Sequence, residues 1–198
     1  MLRGHPAAAI LAGGQARRFA GRDKSRLVIE GRSIIVRQME VLQRVAHEIY
    51  IVGPRSDLYA DIGVPVYADL LPGRGALGGL FTALEVAEAD AVLVVGCDLP
   101  FLDAGLLGRL VERSGAGDAA WVSTAARGPE PLVACYRRAV RDRVLDRLRA
   151  GALKLAELGS AITIVEVGDA EVAEFGPSAR LLANLNSPED YARIESTR

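Results

Sequence analysis

Histidine and cysteine are scarce in this chain. His5 and His47 are the only histidines in 198 residues, and Cys97 and Cys135 the only cysteines. So little histidine nearly excludes a His-rich zinc site or a Ser-His-Asp triad. Two cysteines make no disulfide framework, and a reduced, cytoplasmic setting is the simpler reading. No apolar run reaches membrane-spanning length. The opening MLRGHPAAAILAGG lacks a signal-peptide layout, because its apolar stretch leads directly into glycines and charge. Net charge is missing too. The balance of 24 Lys and Arg against 25 Asp and Glu leaves −1, so no overall polycation suggests general nucleic-acid binding. There is no internal repeat and no long linker. Half of the residues are hydrophobic and a quarter charged, which suits one core and a single domain over 1–198.

What the chain does have is a concentrated stretch at residues 7–24, AAAILAGGQARRFAGRDK. Its apolar start reads as a buried strand ending at Leu11 and Ala12. Gly13 and Gly14 follow at once, where adjacent glycines allow a tight turn and bring backbone N–H groups close to a ligand. Arg17, Arg18, Arg22 and Lys24 then place four cations within eight residues. In a chain of balanced charge this cluster is local and points to a small anionic ligand. A strand, a glycine turn and cations suit a polyphosphate. In isolation the same stretch is also an ordinary turn with a solvated basic loop. It is neither a Walker A loop nor a G-x-G-x-x-G fingerprint.

Downstream, strands and helices alternate. Ser33 is a candidate cap for a helix over about 34–47, with Ile35, Met39, Leu42, Val45 and Ala46 inward and Arg37, Gln38, Glu40, Gln43 and Arg44 on the other faces. Residues 48–52 form a strand, 63–69 a short strand, and the glycine-rich LLPGRGALGG leads to a helix over about 77–88. Glycines at that helix head suggest a mobile segment near a ligand. AVLVVGC at 91–97 is a strand buried on both faces. Asp103 caps a helix through Arg113, 119–124 is a strand, and Gly128-Pro129-Glu130-Pro131 introduces a strand over 132–136. A helix over 139–150, a turn at 153–158 and a strand at 162–167 follow. Residues 168–183 give no clear pattern, and Ser187-Pro188-Glu189-Asp190 starts a last helix. The fold class is α/β, a mostly parallel sheet flanked by helices. The glycine turn and Asp98 both lie just past predicted strand ends, where such sheets form their ligand sites.

Asp98 is the key carboxylate. An unpaired charge at the end of an apolar strand is costly to bury. A magnesium ion would pair with it, since that ion takes one or two carboxylates plus phosphate oxygens and waters. Asp98 could equally cap its own turn with help from Pro100. The cationic glycine loop nearby favours the metal. Lys24 suits a phosphate oxygen, or a surface pair with Asp23. Asp69 either accepts hydrogen bonds from a ribose or base or is a turn residue. Asn184 and Asn186 either stabilise a turn or read a polar heterocycle through their amides. Cys97 points into the core.

Four segments resemble the nucleotidyltransferases that make nucleotide forms of molybdopterin. LAGGQARRFAGRDK resembles L-A-G-G-x-x-x-R-[MF]-G-x-D-K, with Ala20 before Gly21 as a one-residue shift that other members tolerate. CDLPFL resembles the metal-binding segment, EPLVACY the P-L-x-A-x-Y strand, and NLNSPEDY the N-x-N-[ST]-P-E-[DE] motif. They lie in the family's order and span nearly the whole chain. The nearest family is that of molybdenum cofactor guanylyltransferase. The resemblance implies a Rossmann-like nucleotidyltransferase fold, helices on both faces of the sheet, and GTP and molybdopterin as substrates. Leu11, Ala12 and Gly13 would contact GTP, Lys24 its phosphates, and Asp69 the nucleoside end. Asp98 would carry Mg2+ and contact the nucleotide. Asn184, Asn186, Arg18 and Lys154 would serve the pterin side, and Lys24, Asp98 and Arg18 the catalysis. It further implies transient contact with molybdoenzyme apoproteins or other cofactor-biosynthesis proteins. Cytidylyltransferase relatives typically show L-A-A-G in the first motif, so Gly13 favours guanine. Guanylyltransferases can place a nucleotide-contacting asparagine after the second strand, where this chain has Val52. The alternatives are a related enzyme using CTP or a sugar phosphate, and a protein that binds GTP or cofactor without turnover.

Overall fold

The computed structural model describes residues 5–12, 24–53, 56–185, 187, 189–191 and 194. Strand β1 (Ala7–Leu11) is wholly buried and lies inside the sheet. Its side chains alternate between two cores: Ala8 and Ile10 face one, Ala7, Ala9 and Leu11 the other. That period of two, apolar on both sides, is what a strand covered by helices on each face requires. A short hairpin follows, β2 (Val28–Ile29) and β3 (Arg32–Ser33), then helix α1 (Ile34–Leu42) and strand β4 (Glu48–Val52). β5 (Val66–Tyr67), α2 (Gly75–Val86), β6 (Ala91–Gly96), α3 (Ala104–Ser114) and β7 (Ala119–Thr124) come next. β8 (Gly128–Arg137), α4 (Arg141–Arg149), β9 (Ile164–Val167), α5 (Asp169–Ala173) and α6 (Ser178–Leu181) follow.

The main sheet has seven strands in the order β5-β4-β1-β6-β8-β7-β9. All neighbours are parallel except β8, which runs antiparallel to β6 and β7. α1 and α3 pack on one face with Ile10, Ile51, Leu93 and Leu107, and α2 and α4 on the other with Tyr50, Val94, Trp121 and Tyr136. The expected sheet with helices on both faces is what is found.

Several local expectations shift. α1 stops at Leu42 and gives way to turns, short of residue 47, and Ser33 occupies the N-cap position without a side-chain cap bond. Gln38, expected on an outer face, is buried. α2 begins at Gly75 and contains Gly78 and Gly79. A Cβ at Gly78 would stand 2.9 Å from the Arg74 Cβ and 3.0 Å from the Leu71 carbonyl oxygen, and one at Gly79 3.3 Å from Leu11. These two glycines therefore serve close packing rather than a mobile helix head. β8 starts four residues early and takes in Pro129 and Pro131, beside a register shift at Trp121 and Val122. Its pairing with β6 begins at Val133, so the prolines lie beyond the β6 ladder and remove no bond from it. The unpatterned residues 168–183 hold α5 and α6. The last helix start is as expected: the Ser187 Oγ accepts from the Asp190 N–H at 3.2 Å, and Asp190 accepts from the Ser187 N–H at 3.0 Å. Asp103 caps α3, accepting from the Leu106 N–H at 3.0 Å.

Candidate functional site

The chain goes from β1 outward to β4 and β5, then returns through α2 to β6 on the other side of β1. The strand order therefore reverses between β1 and β6, the point where open sheets of this kind form a ligand crevice. Both strands end together. Leu11 pairs with Gly96, and the Cys97 N–H donates to the Leu11 carbonyl at 3.2 Å. Ala12 and Asp98 thus leave adjacent strand tips. The Ala12 N–H donates to the Val52 carbonyl at 2.8 Å, which extends the β1–β4 ladder by one bond. Gly53 follows, and a Cβ there would stand 2.6 Å from the Ala12 carbonyl oxygen. Gly13, Gly14, Arg17, Arg18 and Arg22 lie outside the described residues.

The chain re-enters at Lys24, in a 3-10 turn over Lys24–Arg26. The buried Ser25 hydroxyl bonds to the buried Tyr59 hydroxyl at 3.2 Å. The Arg26 guanidinium bonds to Asp61 and the Leu58 carbonyl and stacks over the Tyr59 ring. Two anchors directly follow Lys24 and fix where its backbone stands. Its charge reaches Asp98: burial pushes the Asp98 carboxyl up from its ordinary value, while the Lys24 charge pulls it back down. Glu130 adds to the rise and Arg127 opposes it, and these two form an ion pair with each other. Lys24 and Asp98 therefore stand near enough for their charges to interact, while the glycine turn expected beside Asp98 lies outside the described residues.

Three contacts set the Asp98 turn. The Gln38 Nε2 donates to the Gly96 carbonyl at 2.7 Å and the Leu99 carbonyl at 3.0 Å. A Cβ at Gly96 would come 2.9 Å from the Asp98 Oδ1, so only glycine leaves the carboxylate its place. The Leu185 N–H donates to the Asp98 carbonyl at 3.0 Å. That last bond seats Asn184, half-buried, against the same turn. Asn186 lies outside the described residues.

Asp69 stands past β5. Its Oδ1 accepts from the Leu71 N–H at 3.1 Å and lies 3.1 Å from the Thr82 hydroxyl on α2. It is engaged as a turn residue through that oxygen, while its Oδ2 has no hydrogen bond among the described residues. Val52 is buried against the α2 face, and its carbonyl is taken by Ala12. Its side chain cannot do the work of an asparagine. Lys154 has an 82% exposed side chain paired with Glu157 at 3.2 Å. Cys97 is half-buried and packs on the α1–α3 core, and burial pushes the Cys135 thiol up to about 11.

Three supporting residues escaped the sequence reading. The need for Gly53 arises from Ala12, distant in sequence, and that for Gly96 from the Asp98 side chain folding back two residues on, which only the turn geometry reveals. Gln38 did carry a sequence signal. It lies within the stripe set by Ile34, Ile35, Met39 and Leu42, and a polar residue inside an apolar stripe marks a buried partner.

The MobA-like NTP transferase domain matches residues 8–163, most of the chain. The chain belongs to that family. It is 31% identical over 192 residues to a protein named probable molybdenum cofactor guanylyltransferase from Chloroflexus aggregans, covering 94% of this chain and 92% of that one. A molybdenum cofactor guanylyltransferase from Shewanella sp. strain MR-4 is 32% identical over 190 residues, covering 94% and 93%. The structure of molybdopterin-guanine dinucleotide biosynthesis protein A from Archaeoglobus fulgidus superposes with a TM-score of 0.81 at 22% identity, over 96% and 97% of the two chains. The sheet is thus the Rossmann-like sheet of nucleotidyltransferases, and this member of the family is a nucleotidyltransferase of molybdenum cofactor biosynthesis. No helix among the described residues is long and apolar enough to cross a membrane.

The residues present fit a magnesium ion of the loosely held kind. No group of three or more His, Cys, Asp or Glu converges among the described residues, so a cage made of protein alone is not on offer there. Asp98, a carboxylate whose charge is made costly by burial, is the candidate ligand. Such a group gains from a cation whose other ligands are phosphate oxygens and water.

Proposed function

We propose that this protein transfers GMP from GTP to the terminal phosphate of molybdenum-molybdopterin, giving the molybdopterin guanine dinucleotide cofactor and pyrophosphate. The observation that supports it best is the bond from the Leu185 N–H to the Asp98 carbonyl. It brings Asn184 and Leu185, from the segment expected on the pterin side, against the turn that carries the carboxylate expected on the nucleotide side. Two substrates that must react head to head need their binding segments in contact. The names of the relatives support the same chemistry, and Gly13 favours guanine over cytosine.

In this reading a phosphate oxygen of molybdopterin forms a bond to the α-phosphorus of GTP, and the bond to the bridging oxygen of pyrophosphate breaks. The nucleophile is already an anion, so no general base is required. What the protein must do is bring two anions together and hold them in line. Lys24 sits on an anchored turn and would supply a positive charge to the phosphates. Arg18 would add a second, and Leu11, Ala12 and Gly13 the backbone around GTP. Asn184, Asn186 and Lys154 would bind the pterin, and Asp69 would offer its Oδ2 to the nucleoside end. Magnesium on Asp98 would screen the phosphates and stabilise charge on the leaving pyrophosphate. The cytoplasm, and transient handover to molybdoenzyme apoproteins or other cofactor-biosynthesis proteins, go with this function.

The test is a panel. The protein is incubated with Mg2+, molybdenum-molybdopterin and each of the four nucleoside triphosphates, and pyrophosphate release is measured. Release with GTP alone is expected, and Lys24→Ala should lower it by about a hundredfold or more, the effect of losing one preorganised charge. Consumption of CTP but not GTP, or release with a sugar phosphate instead of the pterin, would refute the assignment.

A further inference from the structure

We propose that Gln38 is a positioning residue for the metal carboxylate, its buried amide locking the Gly96–Leu99 turn so that Asp98 is presented to a divalent cation. This rests on the reading of Asp98 as the magnesium ligand. Of the five buried residues of α1, Ile34, Ile35, Met39 and Leu42 are apolar and Gln38 alone is polar. Its relative exposure is 1%. The two groups its Nε2 touches are both carbonyl oxygens, at 2.7 and 3.0 Å, so the nitrogen end of the amide has to face them. One carbonyl belongs to the last residue of β6 and the other to the residue after Asp98. A single amide group therefore spans the turn on either side of the carboxylate.

The arrangement carries a penalty. With the nitrogen so placed, the Gln38 Oε1 is buried and has no hydrogen-bond partner among the described residues. A buried amide oxygen without a partner opposes folding. A residue chosen for packing alone would avoid it, as its four neighbours on the stripe do. What the glutamine secures is a fixed bend. Gly96 keeps the space behind the Asp98 Oδ1 clear, and Leu185 holds the Asp98 carbonyl from the opposite direction in the sequence. With both ends of the turn tied to α1, the carboxylate loses little freedom when a cation arrives.

Isothermal titration of GTP, once in EDTA and once in Mg2+, separates this role from general support. In the unaltered protein Mg2+ should tighten GTP binding. In Gln38→Met, similar in length and apolar, that tightening should shrink by about tenfold, the usual effect of losing a group that orients a metal ligand. GTP affinity in EDTA should stay the same, and excess Mg2+ should recover much of the turnover. Gln38→Asn keeps the amide but is one methylene too short to span the turn, and should behave alike; it replaces the methionine variant if that one does not fold. A full Mg2+ effect in a folded Gln38 variant, with only its thermal midpoint lowered, would overturn the inference. Asp98→Asn serves as the reference. If it abolishes the Mg2+ effect while the Gln38 variants keep it, the positioning role alone is wrong. If it too keeps the Mg2+ effect, Asp98 is not the ligand and the reading beneath the inference is wrong.

Discussion

The cores on the two faces of the main sheet and the small cluster beside them are built on different terms. The first two draw on long runs of β1, β6, β7 and β8, each apolar on both sides, and on whole helices. Among the described residues the third has Ile29, Ile34, Phe101 and Leu185 buried, with Leu27, Ala183, Tyr191 and Ile194 around them. It depends on charge as well: Arg37 and Arg180 lie 5.3 and 4.1 Å from the Phe101 ring centre, and both pair with Glu30 at 3.1 Å. Yet this cluster joins the pieces proposed to carry the chemistry. Leu27 follows the Lys24 turn, Phe101 follows the Asp98 turn, and Leu185 follows Asn184. The sheet makes the molecule stable, and the small cluster sets the distances between its functional parts.

Truncating one residue in each region is the strongest way to break that comparison. Leu93→Ala, at the centre of β6, should cost about 2–5 kcal/mol and lower the thermal midpoint by roughly 5–15 °C. The remaining folded fraction should keep its turnover, because Leu93 lies mid-strand, back from the β6 tip that leads to Asp98. Leu185→Ala should cost less, about 1–3 kcal/mol, since a small cluster at the molecule's margin can relax. Its turnover should nevertheless fall about tenfold or more, because the Asn184 segment loses its seat against Asp98. Calorimetry and pyrophosphate release on the two variants decide it. Equal ratios of activity lost to stability lost would mean that the small cluster is only more core.

The difference also explains what the sequence showed. The sheet was legible because burial on both faces leaves a local signature: AAAIL and AVLVVG need no partner to be read as central strands. Lys24 and Asp98 stood out as candidates because each follows such a strand in a pattern whose residue types make chemical sense. The supports were not. Tyr59 holds Ser25 from 34 residues away, and Arg180 holds Glu30 from 150. Neither pair has a periodicity, and α5 and α6 are too short to show one. Gln38 was misread for another reason. A polar residue was sent outward by type, against a spacing that put it inside. Gly78 and Gly79 were taken as signs of mobility where they mark close approach.

Asp98 sharpens the contrast, since it is an expense to the scaffold that only the site can justify. Burial raises the pKa of its carboxyl, so folding favours the protonated form. The associated stability is therefore present at low pH and is lost as pH rises from the ordinary carboxylate value through the raised one. At neutral pH the ionised group opposes folding. Asp98→Asn removes that opposition with nearly no change of shape. In EDTA the variant should melt a few degrees higher than the unaltered protein, the scale of about 1 kcal/mol in a chain of this size. The gain should shrink toward acid pH, and added Mg2+ with GTP should stabilise the unaltered protein but not the variant. A variant that melts lower in EDTA would mean that the carboxylate is a structural cap.

The smallest effect belongs to Glu30, and it reports on the small cluster alone. Its hydrogen bond with Arg180, and the charge of Arg37 beside it, hold its carboxyl below the ordinary value of 4.5. The sign is opposite to that of Asp98. The stabilisation is present above the ordinary value and is lost as pH falls through the lowered one. Glu30 is 41% exposed, so water and salt screen the pair and the whole contribution is about 0.5 kcal/mol. Glu30→Gln should therefore melt slightly lower than the unaltered protein at pH 6, and the two should converge below pH 4.5 or in about 1 M salt. Because the cluster adjoins the site and not the sheet, the more sensitive reading is the hydrogen exchange of the Leu185 N–H. It should quicken in Glu30→Gln at pH 6 while the amides of β1 and β6 stay unchanged. If the strand amides quicken equally, the ion pairs around Phe101 support the whole fold, and the separation between scaffold and spacer does not hold.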